Sequence, residues 1–144
     1  MANKALNLLG LMRRANAIQI GETNTGGTVK DGKAKLLLLA ADASENARHR
    51  AEGFLRGHST ILVELPYTKE EISDSVGLPG CSMAAITDIG FAGALMKILS
   101  AEDAEKYGAA AEEIERRQLK AQRRKTEAQT KDRNRRIGKR RTNA

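Results

Sequence analysis

The sequence has no tryptophan, only two phenylalanines and two tyrosines, and a single cysteine in 144 residues. Cys81 alone excludes an intramolecular disulfide, and His49 and His58 stand too far from it to complete a recognisable zinc pattern. No apolar run approaches the roughly 18 residues that span a bilayer. Met1-Ala2-Asn3-Lys4-Ala5-Leu6 lacks the long apolar core of a signal peptide. The expectation is a cytoplasmic protein with no membrane contact, no metal and no cofactor.

Catalytic groupings are equally scarce. Cys81 with His49 or His58 is a conceivable nucleophile and base, yet no spacing brings them together, and a lone cysteine at the start of an apolar strand is usually a small core or loop residue. The acids Asp42, Glu64 and Asp88 show no paired-carboxylate spacing. Gly21-x-x-x-x-Gly26-Gly27-Thr28 matches a phosphate-binding loop except that Gly27 stands where the lysine belongs. The next strand also follows too soon for the long helix such a loop opens. No catalytic residue is assigned, and the chain is not expected to be an enzyme.

What the sequence does have is positive charge, formally +7 with a pI near 9.8, which favours anionic partners and nucleic acid first. The charge is uneven. Residues 1–100 are nearly balanced, 101–115 hold six carboxylates against Lys106, and the segment from Arg116 on holds 13 Lys+Arg against 2 Asp+Glu. Arg116, Arg117, Lys120, Arg123, Arg124, Lys125, Arg133, Arg135, Arg136, Lys139, Arg140 and Arg141 form a basic arm. Such side chains contact phosphates without reading sequence, and the arm has no aromatic residue on which a base could stack.

The first hundred residues alternate helix and strand. Four successive leucines, Leu36 to Leu39, cannot be a half-exposed strand and read as a central one. Asp42 with Glu45 reads as a capping box opening the next helix, which runs to about Arg56 with Gly57 as its stop. Asn3 is expected to cap a first helix on Ala5, Leu8, Leu9 and Met12, with strands at Ala17 to Ile20, Thr60 to Leu65 and Ser82 to Thr87. Thr68 with Glu71 caps another helix ending near Gly77, Gly77 to Gly80 is a loop, and Asp88 caps a helix through Phe91, Leu95, Ile98 and Leu99. The Gly21–Asn24 turn enters a helix weakened by Gly26 and Gly27. The predicted fold class is α/β, a three-layer α/β/α sandwich on a four-stranded mixed sheet over residues 1–100. Residues 101–144 then form a charged extension, with a helix capped by Ser100 to Asp103, striped by Tyr107, Ala111 and Ile114, and supported by Glu112 with Arg116 and Glu113 with Arg117. From about Lys120 the basic tail is expected to be helical or disordered, a solvated helix fraying into a basic arm.

Lys4-Ala5-Leu6-Asn7-Leu8-Leu9-Gly10-Leu11, Gly21-Glu22, Gly32-Lys33-Ala34-Lys35, Asp42-Ala43-Ser44-Glu45-Asn46, Thr68-Lys69-Glu70-Glu71 and Ala85-Ile86-Thr87-Asp88 with Gly90-Phe91-Ala92 stand in register over about residues 3 to 99. In these runs the chain resembles the kink-turn RNA-binding ribosomal proteins of the archaeal L-seven-Ae type, in particular their short bacterial YlxQ-like members. The resemblance implies binding of structured RNA through the turn and helix after the first strand and the loop before the last. It places the family's glycine on Gly21, next to Glu22, its paired polar readers on Thr23 and Asn24, its helix lysine on Gly27, and its loop on Cys81, Ser82 and Met83. Archaeal members carry Asn-Glu where this chain has Thr23-Asn24. Lys30, one turn beyond Gly27, and Lys33 are the cations nearest the vacated lysine position.

The leading expectation is therefore a monomeric, non-enzymatic RNA-binding protein of the ribosome or translation apparatus, with structured RNA, ribosomal RNA included, as partner. The competing one is an adaptor whose domain docks a ribosome-associated protein while the arm binds RNA nonspecifically.

Overall fold

The four leucines form β2 (Leu36–Leu39), and none of them is more than 2% exposed. β2 pairs in parallel with β3 (Ile61–Glu64) on one edge and antiparallel with β4 (Met83–Ile86) on the other. The far edge of β4 carries β1 (Ile18–Ile20), antiparallel, so the order is β1-β4-β2-β3. Alternate side chains of a strand point to opposite faces, and β2 feeds two apolar clusters accordingly. Leu36 and Leu38 join Leu9 and Met12 of α1 (Lys4–Arg14), Ile72 and Val76 of α4 (Lys69–Val76), and Leu95 and Leu99 of α5 (Ile89–Glu102). Leu37 and Leu39 join Val29 of α2 (Glu22–Lys30) and Ala47 and Ala51 of α3 (Glu45–Phe54). A strand covered on both faces has no use for alternation, hence the unbroken leucines.

The structure, a computed structural model, describes residues 3–79 and 81–142, with side chains up to residue 136. Met1, Ala2, Gly80 of the expected loop and the side chains of Lys139, Arg140 and Arg141 lie outside the described residues. Among the described residues the chain is mixed α/β, with six helices around one four-stranded mixed sheet. No helix among them is long and apolar enough to cross a membrane, and no group of side chains could hold a metal ion.

Several caps follow the sequence. Asn3 accepts from the Leu6 N–H, Asp88 accepts from the Phe91 N–H, and Thr68 and Glu71 satisfy each other's backbone N–H groups. The capping box expected of Asp42 and Glu45 is not formed. Ser44 caps α3, its Oγ accepting from the Ala47 N–H at 3.1 Å. Asp42 instead accepts at 2.8 Å from the N–H of Lys69, the first residue of α4. The parallel pairing of β2 and β3 causes the exchange, because it sets the two strand exits side by side and brings the start of α4 to Asp42. α3 also stops at Phe54, before Gly57 turns the chain.

The sixth helix, α6 (Ala104–Thr142), is capped by Asp103, which accepts from the Lys106 N–H; Ser100 stays inside α5. Tyr107 and Ile114 are buried in the larger cluster, with Ala110 and Ala111 packed against it. The Tyr107 hydroxyl donates to the Glu64 carbonyl at 2.6 Å, fixing α6 to the end of β3. Burial raises the phenol above its ordinary pKa of 10, so it remains a neutral donor. Gln118 lies directly over Gly93 of α5. Arg117 donates to the Ser59 carbonyl at 2.7 Å and to Glu113 at 3.0 Å, while Arg116 pairs with Glu113 rather than with Glu112. Beyond Gln118 the side chains up to Arg136 are exposed, Asp132 excepted, and the backbone stays helical to Thr142, the helical of the two forms expected for the tail.

Candidate functional site

β1 delivers the chain to Gly21 at φ +96°, ψ 161°, a backbone region that side-chain-bearing residues scarcely adopt. The Gly21 N–H donates to the Met83 carbonyl at 3.1 Å, which seats the start of α2 beside the loop leading into β4. Gly21 is the N-cap and offers no capping side chain. The first N–H groups of α2 therefore point outward without an intrahelical acceptor, at the positive end of the helix. That is a ready seat for a phosphate or for the acceptor edge of a base.

Around this turn Thr23 and Asn24 are exposed. Asn24 donates through its side-chain amide to the Ile20 carbonyl at 2.9 Å, which holds the side chain in place and leaves its oxygen to accept. Glu22 is held by the Arg50 guanidinium of α3, with both carboxylate oxygens at 2.8 Å, so the one acid of the rim is neutralised locally. The inner face of α2 is fixed by Thr25 and Thr28, both buried, with Thr28 donating to the Asn24 carbonyl.

The two glycines inside α2 differ. A Cβ on Gly26 would stand 2.7 Å from the Phe54 ring, so glycine there lets α3 close against α2. A Cβ on Gly27 would meet nothing within 4 Å, and the position faces solvent. The exposed side of α2 forms one wall of an open cleft of about 460 Å³, lined by Thr23, Gly27 and Lys30 and, opposite, by Arg56 and His58.

The structure thus brings Gly21, Glu22, Thr23, Asn24 and Ser82 to one end of the sheet. Cys81 of the same loop and Met83, the first residue of β4, turn inward, each 1% exposed, with the Cys81 thiol donating to the Leu78 carbonyl. Only Ser82 of the three has a half-exposed side chain. Lys30 and Lys33 lie at the other end of α2. Arg50, Arg56 and His58 were not read from the sequence as neighbours of this rim. They arrive by the packing of α3 on α2, and no local motif announces them. On α6, Lys120, Arg123, Arg124, Lys125 and Arg133 are exposed, while Arg135 and Arg136 share Asp132 at 2.7 and 3.2 Å.

No family model matches the chain. It is 35% identical over 89 residues to the RNA-binding protein YlxQ of Enterococcus faecium, an alignment covering 62% of this chain and 84% of that one. It is 32% identical over 96 residues to the RNA-binding protein YlxQ of Bacillus subtilis (strain 168), covering 64% and 91%. Among solved structures the fold is similar to a protein with unknown function from Bacillus halodurans C, with a TM-score of 0.63, 21% identity and coverage of 69% of this chain and 99% of that one. It is similar also to the Giardia lamblia 15.5kD RNA binding protein, with a TM-score of 0.54, 18% identity and coverage of 72% and 92%.

Proposed function

Because the chain belongs to the family of the RNA-binding protein YlxQ, we propose that it is a non-enzymatic RNA-binding protein of the translation apparatus that recognises structured RNA of the kink-turn kind. The observation that carries this reading is the uncapped start of α2 at Gly21, flanked by Thr23, Asn24 and Ser82. Backbone N–H groups, a hydroxyl and an amide there can meet the polar edges of bases splayed from a bent helix, and single polar side chains of this kind discriminate bases by hydrogen bonding. Helices on both faces of the sheet form a three-layer sandwich that carries the rim, and the exposed part of α6 adds phosphate contacts. Positioning is by α3, through Arg50 on Glu22 and Phe54 under Gly26.

Changing Thr23 and Asn24 together to alanine is expected to weaken binding of a kink-turn RNA by about tenfold or more, while a plain duplex of equal length loses less than about twofold. Filter-binding or fluorescence-anisotropy titrations of the full chain decide it. Equal losses on both RNAs, or none, overturn the reading of the rim and favour the adaptor.

Gly27→Lys supplies the matching gain. The position is exposed, has room, and holds glycine inside a helix, so the variant should be more stable by about 0.5 to 1 kcal/mol. A new phosphate contact would also steepen the log–log salt dependence of kink-turn binding by about one. A stabilised variant whose salt slope is unchanged would show that no phosphate passes this point.

A further inference from the structure

At the other end of the sheet from Gly21, a second cleft of about 360 Å³ opens between the starts of β2 and β3 and the side of α6. Its floor is Ala34, Thr60 and Ile89. Its rim carries Lys35, His58, Arg117, Lys120 and Arg124, and no carboxylate among the described residues lines it. Lys35 immediately precedes β2, its N–H donating to the Ile86 carbonyl at 2.7 Å. Arg117, Lys120 and Arg124 recur at three- and four-residue steps along one side of α6. Arg117 braces that side by its bonds to Ser59 and Glu113, whereas Lys35, Lys120 and Arg124 form no ion pair among the described residues.

We infer that this cleft is a second RNA contact, which grips the sugar–phosphate backbone of the strand that leaves the reader turn. The inference rests on the RNA-binding reading above and extends it to a place that reading does not use. Three features favour RNA backbone over a small anion. The cleft is open, and its cations sit on two separate elements, as suits a strand passing between them. His58 lines both this cleft and the one along α2, so the two share a wall. The nine residues of α2 span about 14 Å between the reader turn and this end, a short step for a strand following the helix. Backbone contacts of this kind position the RNA without reading its sequence.

The test uses the full chain and two RNAs, a kink-turn trimmed to its motif and the same motif carrying a duplex extension. Lys35→Gln is made alone, because Lys35 lies at the start of β2 rather than on α6 and so separates the cleft from the exposed arm, and also together with Lys120→Gln and Arg124→Gln. The triple variant should lose about tenfold or more on the extended RNA, with a salt slope lower by two to three. Lys35→Gln should lose part of that, and both should bind the trimmed RNA as the unaltered chain does. In backbone NMR the Ser59 and Thr60 amides should shift with the extended RNA and not with the trimmed one. Equal losses on the two RNAs, or Thr60 shifts reproduced by inorganic phosphate alone, overturn the inference. Tight binding of the unaltered chain with unmoved Thr60 removes the cleft and leaves the reader turn standing. An unaltered chain that binds neither RNA overturns both.

Discussion

Replacing Arg123, Lys125, Arg133, Arg135 and Arg136 together by glutamine is expected to cut affinity for plain duplex RNA by about two powers of ten at low salt. None of these side chains lines either cleft, and all are exposed on α6. Each phosphate neutralised releases condensed counterions, so five lost contacts lower the log–log salt slope by about four. The unaltered chain should therefore weaken steeply between about 50 and 200 mM salt and the variant only gently, the two converging at high salt. Preference for a kink-turn over a duplex should survive, since the altered residues do not approach Thr23 or Asn24. Coincident salt titrations would remove the arm from binding altogether.

Ile114→Asp should cost about 4 kcal/mol or more, read as a lower urea midpoint at unchanged m-value. Ile114 is 0% exposed among the apolar side chains of the larger cluster, where a carboxylate would lose its hydration. That is a large share of the 5–15 kcal/mol that holds a typical domain together. Glu115→Ala, one residue on and exposed, should change stability by less than about 0.5 kcal/mol. A small effect of Ile114→Asp would mean that the first turns of α6 are an appendage. The Tyr107 bond to Glu64, Gln118 over Gly93 and Arg117 on Ser59 all argue that they belong to the folded unit, which extends past residue 100.

How much of this was legible depends on how local the cause is. The leucine run declares a strand covered on both faces, and Thr68 with Glu71 declares a helix start, because each depends on neighbours in sequence. Asp42 was assigned to the nearest helix and serves another, since its partner is brought by parallel pairing with a strand 25 residues on. Tyr107, Ala111 and Ile114 were visible as a thin stripe. Their depth was not, because it depends on the small residues of α5 that let α6 approach, Gly93 among them. At the rim the turn itself was readable from Gly21. The inward turn of Cys81 and Met83 was not, because it follows from the side-chain alternation along β4 and the packing of the loop before it. Arg50, Arg56 and His58 depend wholly on where α3 lies.

The docking of α6 also sets the secondary structure of everything that follows it. A helix is hard to start and easy to lengthen, because the first turn fixes several residues for a single hydrogen bond. The exposed run after Gln118 has no apolar stripe, and as a free peptide it would have to nucleate alone. Here Tyr107 and Ile114 hold the preceding turns in register, so the seed already exists and each further residue adds a bond at little cost. The arm inherits its helicity from the core. Neutralising its charge on RNA removes the self-repulsion of neighbouring cations and so stabilises a helix already in place rather than starting one.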